Sequence, residues 1–309
     1  MNLINYHKMK FLRLAFYVLI AQLVLSGCAG EAVEETSSSS SSEINFDAYV
    51  GRDASTRSDV TDIDFLKSGE WNAGFGVFAR YNHTDGKTIT SLMDTEHVTW
   101  RVDHWGYDHI RFWPSSGTVD FYAFAPYSPQ VRMGSLPPEL AGKADINSPN
   151  TYIDFPSNLS PVDLVWANQP NQTAPKSPNS KVKFQFKHAL SRLGYSVKLY
   201  KDFTPNNVKF TLKEITLAGS DPKSTAETAK AFYQEGTIDL STGNWKEHSK
   251  DAAKQDFNWL SESHDVTSAT ESAPYTNSPS DYLFVIPQNF LDADGKSDKL
   301  YVNTLLILM

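Results

Sequence analysis

The chain has 309 residues, a length that suits one or two domains. It carries 28 Lys and Arg against 36 Asp and Glu, a net charge of −8 with no basic run, which argues against a nucleic-acid backbone as partner. Hydrophobic residues make up 40 % and aromatics 13 %, enough for a packed core and weighted toward strands, while the single Cys excludes an internal disulfide or a Cys-cluster metal site.

The strongest signal stands first. Lys8, Lys10 and Arg13 precede an apolar stretch, Leu14 to Leu25, interrupted by Gln22 alone. That length suits a signal-peptide core and falls short of a bilayer span. The stretch ends in Leu25-Ser26-Gly27-Cys28, which resembles a bacterial lipobox. Cleavage between Gly27 and Cys28 would leave a lipidated Cys28 as the first mature residue. One acyl chain holds a protein at a membrane only marginally, and a lipobox cysteine carries several. Loss of residues 1–27 removes three positive charges, so 25 basic residues face 36 acidic ones and the mature net charge is −11. Residues 28–42 read as a tether: Glu31, Glu34 and Glu35, then serine from 37 to 42.

Beyond the tether the chain reads as strands and turns. Ile44, Phe46, Ala48 and Val50 alternate with polar neighbours, the pattern of a half-buried strand. Gly69 to Gly76 leads into a short strand at Val77-Phe78-Ala79. Val98, Trp100 and Val102 alternate again. His109–Trp113 and Thr118–Ala125 flank Pro114-Ser115-Ser116-Gly117, which predicts a hairpin turn. Val119, Phe121, Ala123 and Ala125 share one face, and Pro126 stops the ladder. Gln130 to Pro161 reads as a long loop, and Val162 to Ala167 as a short strand. Residues 168–180 are polar and hold Pro170, Pro175 and Pro178, the best domain boundary in the chain.

After the boundary, Lys181 to Lys187 alternates without a fault. Strands are expected at Leu193–Tyr200, Val208–Leu217, Thr237–Leu240 and Tyr282–Ile286, with a turn at Ser241–Asn244. Thr225–Tyr233 fits a short helix or a strand entry. Trp259 and Leu260 are the clearest apolar anchor between 246 and 279. Short strands, regular turns and no sustained 3.6-residue period argue for an all-β sandwich architecture.

Three stretches in order resemble the fimbrillin family of Bacteroidetes, in particular its minor-fimbrillin-like members. They are Phe112-Trp113-Pro114 with Asp120 to Pro126, Asp163-Leu164-Val165-Trp166-Ala167, and Val182 to Leu193 with Phe186-Lys187-His188 at its core. The acidic residues behind Cys28 also resemble the export signal of surface lipoproteins in that phylum. The resemblance implies two transthyretin-like β-sandwich domains, 43–167 and 181–309, joined by a linker at 168–180. It implies a lipid-anchored protein of the outer-membrane surface, acting as stalk, anchor or tip component of fimbriae and in adhesion. It implies that an Arg-specific protease removes an N-terminal strand, and that a strand from another fimbrial subunit fills the groove left behind. The matching positions here are Arg57 or Arg52 for cleavage, and Ile44, Phe46, Ala48 and Val50 for the removable strand. Losing three buried apolar residues of about 1.5–3 kcal/mol each would leave a groove and an open sheet edge. Family members continue for further strands after the segment matching Tyr282–Pro287. Here Leu305-Leu306-Ile307-Leu308-Met309 stands at the end, either as a substitute edge strand or with the last strands missing.

No catalytic motif stands out, and an enzyme, a cofactor and a metal are not expected. His97, Asp103-His104 and Asp108-His109 match no standard metal-ligand spacing. The alternative function is glycan binding at the cell surface through Trp71, Trp100, Trp105 and Trp113, which otherwise serve as core residues. His188 is expected to be a satisfied strand-end residue.

Overall fold

The computed structural model describes residues 42–51, 61–129, 151–156, 163–177, 179–219, 231–246, 253–260, 263–277, 282–288 and 301–308. The expected signal peptide, Gly27, Cys28, nearly all of the expected tether, Arg52 and Arg57 lie outside these residues.

The first half of the chain forms β1 (Asn45–Val50), helix α1 (Ile63–Leu66), β2 (Phe75–Asn82), β3 (Ile89–Arg101), β4 (His104–Gly106) and β5 (Thr118–Ala125). Then come β6 (Tyr152–Pro156), β7 (Val165–Gln172) and β8 (Lys181–His188). Seven of these strands make one sheet in the order β1-β8-β7-β5-β2-β3-β4. Every ladder in it is antiparallel except β1 with β8, which runs parallel from Asn45↔Lys181 to Val50↔Phe186.

This sheet nearly closes into a barrel. β3 shifts register against β2 beside Ala79, and Thr95 takes φ 54°, so the long strand bends. Such bulges raise local twist and help a sheet close. After β4 the chain returns to the far edge. Ile44 N donates to Arg111 O at 2.9 Å, and Trp113 N donates to Ser42 O at 3.0 Å. Residues 111–113 therefore run against the start of β1. The expected hairpin across Pro114–Gly117 does not form, because β5 takes β2 and β7 as neighbours instead. The alternation of β5 suits any antiparallel partner and says nothing about which one it finds.

Side chains alternate as a half-buried barrel requires. Val182, Phe184 and Phe186 of β8 point inward to meet Phe75, Val77 and Phe121, while Lys181, Lys183 and Lys187 face out. β2 and β5 are covered on both faces. Their outer side chains Phe78, Tyr122 and Phe124 pack with Ile153 of β6 and with Ile238 and Leu240.

The second half contributes β9 (Ser191–Leu193), β10 (Ser196–Val197), β11 (Phe210–Ala218), β12 (Phe232–Tyr233) and β13 (Glu235–Asp239). They are followed by β14 (Lys254–Gln255), β15 (Phe257–Leu260), β16 (His264–Asp265), β17 (Tyr275–Thr276), β18 (Leu283–Val285) and β19 (Tyr301–Leu308). β13 pairs with β6, so the expected loop 130–161 contains a strand whose partner lies some eighty residues on. β11 is the hub of a four-stranded sheet, with β15 and β16 on one side and β19 on the other. The fold is thus all-β, as the sequence predicts, and mostly antiparallel, with a near-closed barrel in its first half. Residues 168–172 belong to β7, and the polar segment beyond them joins β7 to β8 within one sheet.

Candidate functional site

β1 occupies a seat built by residues distant in sequence. Ile44 and Phe46 are at most 1 % exposed, Val50 is buried, and Ala48 is partly so, while Asp47 and Tyr49 face out. The alternation read from the sequence is therefore the alternation observed. Phe46 is the anchor. Its ring meets Phe184 at 5.6 Å, Phe121 at 5.9 Å, Tyr107 at 5.5 Å and Phe75 at 6.4 Å. Edge-to-face and offset ring pairs add to plain area burial.

The polar contacts of this seat are few. Tyr107 is 3 % exposed, and its hydroxyl donates to Ile44 O at 2.8 Å and accepts from Arg111 N at 3.2 Å. Burial pushes the Tyr107 phenol above its usual 10.0, so the hydroxyl stays a donor well into alkaline solution. Past the undescribed residues 52–60, the chain is fastened again at Thr61. Thr61 N donates to Asp163 Oδ2 at 3.0 Å, and Thr61 Oγ1 donates to Asp163 O at 2.5 Å. His188 Nδ1 lies 2.8 Å from the same Oδ2, and the Asp163 side chain is fully buried. Next to it, Asp62 caps α1 by accepting from Phe65 N at 2.8 Å. The stretches on either side of residues 52–60 are therefore tied by different polar contacts, while Phe46 and Leu66 share one apolar core.

The sequence pattern points to β1 and misses Tyr107 and Thr61. Asp163 and His188 stand inside family-like stretches, but their pairing across 25 residues leaves no local signal. His188 is, as expected, a satisfied strand-end residue.

The other expected constellations are dispersed. Trp105 and Trp113 are buried, and Trp100 packs edge-on to Trp105 at 5.2 Å. Trp71 is 79 % exposed, and with two of the four rings buried they make no common exposed platform. His97 bonds Ala73 O at 2.7 Å and stacks on Tyr127, His104 pairs with Asp103, and His109 pairs with Glu96. No group of three metal-ligating side chains occurs among the described residues.

β19 presents a second feature. It pairs with β11 from Phe210↔Leu308 to Ala218↔Tyr301, so the terminal apolar run is a strand. Its Val302, Leu305, Leu306 and Leu308 are all exposed.

Comparison with known proteins places this architecture. A model of the family described as fimbrillin-like matches residues 56–303. Fimbrium subunit Fim1C of Phocaeicola vulgatus is 28 % identical over 254 residues, which cover 76 % of this chain and 62 % of that protein. The match thus spans less than two thirds of that relative's length. The crystal structure of a fimbrial protein from Bacteroides vulgatus superposes with a TM-score of 0.57 at 22 % identity, covering 87 % of this chain and 90 % of that one. With a family match running through both halves of the fold just described, the chain belongs to the fimbrillin-like family.

Proposed function

We propose that the protein is a structural and adhesive subunit of fimbriae on the outer-membrane surface, anchored through a lipidated Cys28 and assembled by exchange of β1. Its partners are other fimbrial subunits, and its adhesive partner is a ligand on a host or bacterial surface. Its two halves act as transthyretin-like sandwiches, the first being the near-closed barrel. An Arg-specific protease cuts after Arg57 or Arg52. The piece that carries Cys28 then also carries β1, so one cut separates both anchor and plug from the body. The emptied seat between β8 and residues 111–113 accepts a strand from another subunit.

The observation that carries this reading is the seat of β1. A strand of alternating character fills a ring-lined slot, its sheet neighbours lie about 70 and 136 residues away, and the stretch 52–60 alone joins it forward to the body. Parallel pairing with β8 asks for no hairpin, so a strand from another chain fits there as readily as the chain's own.

The test is direct. The mature protein is treated with an Arg-specific protease beside Arg57→Ala, Arg52→Ala and the double variant. Cleavage should produce one discrete product, followed by polymers seen by light scattering and electron microscopy. The double variant should stay whole and monomeric. Clean cleavage with no assembly, or assembly of the uncut double variant, would overturn the reading.

A further inference from the structure

The two sides of β1 are held by different chemistry. On the β8 side the contacts are a ladder of backbone bonds, which any strand can make. On the other side the hydrogen bonds among the described residues are confined to the start of the strand. Two of its contacts are again backbone bonds, from Ile44 N to Arg111 O and from Trp113 N to Ser42 O. The Tyr107 hydroxyl is the side-chain group that joins β1 to its neighbour there, donating to Ile44 O and accepting from Arg111 N. It does so from a buried position against the Phe46 ring.

We infer that Tyr107 is the positioning residue for strand exchange: its hydroxyl is the latch that sets how fast β1 leaves, and the register mark for the strand that replaces it. The inference rests on the exchange proposed above. While β1 stays, the hydroxyl satisfies one carbonyl and one amide in an apolar setting. When β1 goes, the hydroxyl gives up Ile44 O at 2.8 Å and is left with Arg111 O, 3.5 Å away, so departure costs the shorter of its two bonds. The same geometry acts on an incoming strand. The carbonyl that Tyr107 reads lies two residues before the side chain that fills the Phe46 slot. An incoming strand must repeat that spacing, a carbonyl followed two positions later by a large apolar side chain. A slip by one residue would put a polar side chain among Phe75, Phe121 and Phe184.

Thr61 marks the contrast. Its bonds to the buried Asp163 tie down the chain on the far side of the proposed cut. Departure of β1 therefore need not unravel the body.

The experiment uses the uncut mature chain and Tyr107→Phe, which keeps the ring and removes the hydroxyl. Amide hydrogen exchange reads local opening residue by residue. In the variant the bonded amides of residues 44–50 should exchange about tenfold faster. The amides of Phe121 to Ala123, two strands or more away in the sheet order, should keep their wild-type rate. Unchanged protection at 44–50 overturns the inference. So does an equal rise in both places, or loss of the fold, since each makes the hydroxyl a general support rather than a latch. Both proteins are then cut and their polymerisation followed. Faster opening of β1 with no polymer from either protein keeps the latch and defeats strand exchange. Polymer from both with β1 protection unchanged defeats the latch alone.

Discussion

At the scale of single residues the seat of β1 divides into a part written in local pattern and a part that is not. Phe46 belongs to the first. It alternates with polar neighbours, and its burial follows from that. Phe46→Ala removes a ring that four others pack around, so it should lower stability by about 3–5 kcal/mol, measured as the guanidinium midpoint of the uncut mature chain. Tyr107 and Asp163 belong to the second part. A tyrosine after a Trp-Gly pair and an aspartate before an apolar strand give no hint of partners 63 and 102 residues away. A polar side chain becomes buried because a distant backbone group meets it there, and periodicity carries no trace of that meeting. Asp163→Ala should therefore cost about 3 kcal/mol, because it strips the acceptor from Thr61 N and from the His188 ring at a fully buried place. A change within about 0.5 kcal/mol, read by the same denaturation, would mean that Thr61 is held by other means.

At the scale of elements, strands were legible and their partners were not. β1, β5 and β8 follow from strict alternation, because a face buried against a core must be apolar at every second residue. β6 was hidden in a polar stretch, since its partner β13 lies far ahead and supplies the cover that makes burial of Ile153 possible. The β6–β13 pair is also stitched by charge. Burial raises the pKa of Asp239, but bonds from the Thr151 hydroxyl and from Ser241 outweigh it and hold the carboxyl below 3.8. A carboxylate with a lowered folded pKa adds stability above its unfolded value and loses it as pH falls through the folded one. Thr151→Val should thus cost about 1 kcal/mol at pH 6, with the gap to wild type closing below roughly pH 3.8, as followed by thermal unfolding across pH. A gap unchanged by acid would assign the loss to packing. β19 makes a different prediction. Its exposed apolar side chains sit on an edge strand, the usual setting for unwanted strand pairing. Val302→Thr with Leu308→Thr keeps strand propensity, so stability should hold within about 0.5 kcal/mol. Concentration-dependent association of the uncut chain, measured by light scattering, should fall.

At the scale of the whole molecule, the proposed cut would change the order of a reaction rather than its contacts. While residues 52–60 join β1 to the body, the return of β1 to its seat is intramolecular, with an effective concentration on the order of millimolar for so short a link. Cutting leaves every described contact in place and makes the same return bimolecular. The three buried apolar residues of β1 then contribute about 5–9 kcal/mol against the cost of ordering a separate peptide, and most of that cost falls on association itself. The cut form should therefore be metastable: complete when concentrated, and losing β1 on dilution. Native mass spectrometry should show the uncut chain at one mass at every concentration. The cut chain should shed a peptide of residues 28–57 on dilution into the nanomolar range, and added peptide of residues 42–51 should refill the seat and suppress polymers. Retention of β1 by the cut chain at all dilutions, with assembly unaffected by the peptide, would mean that subunits join elsewhere, and the exposed edge of β19 would become the first place to look. The two outcomes separate cleanly, because β1 is gripped by an aromatic slot and one hydroxyl, whereas β19, paired among the described residues with β11 alone, offers exposed leucines.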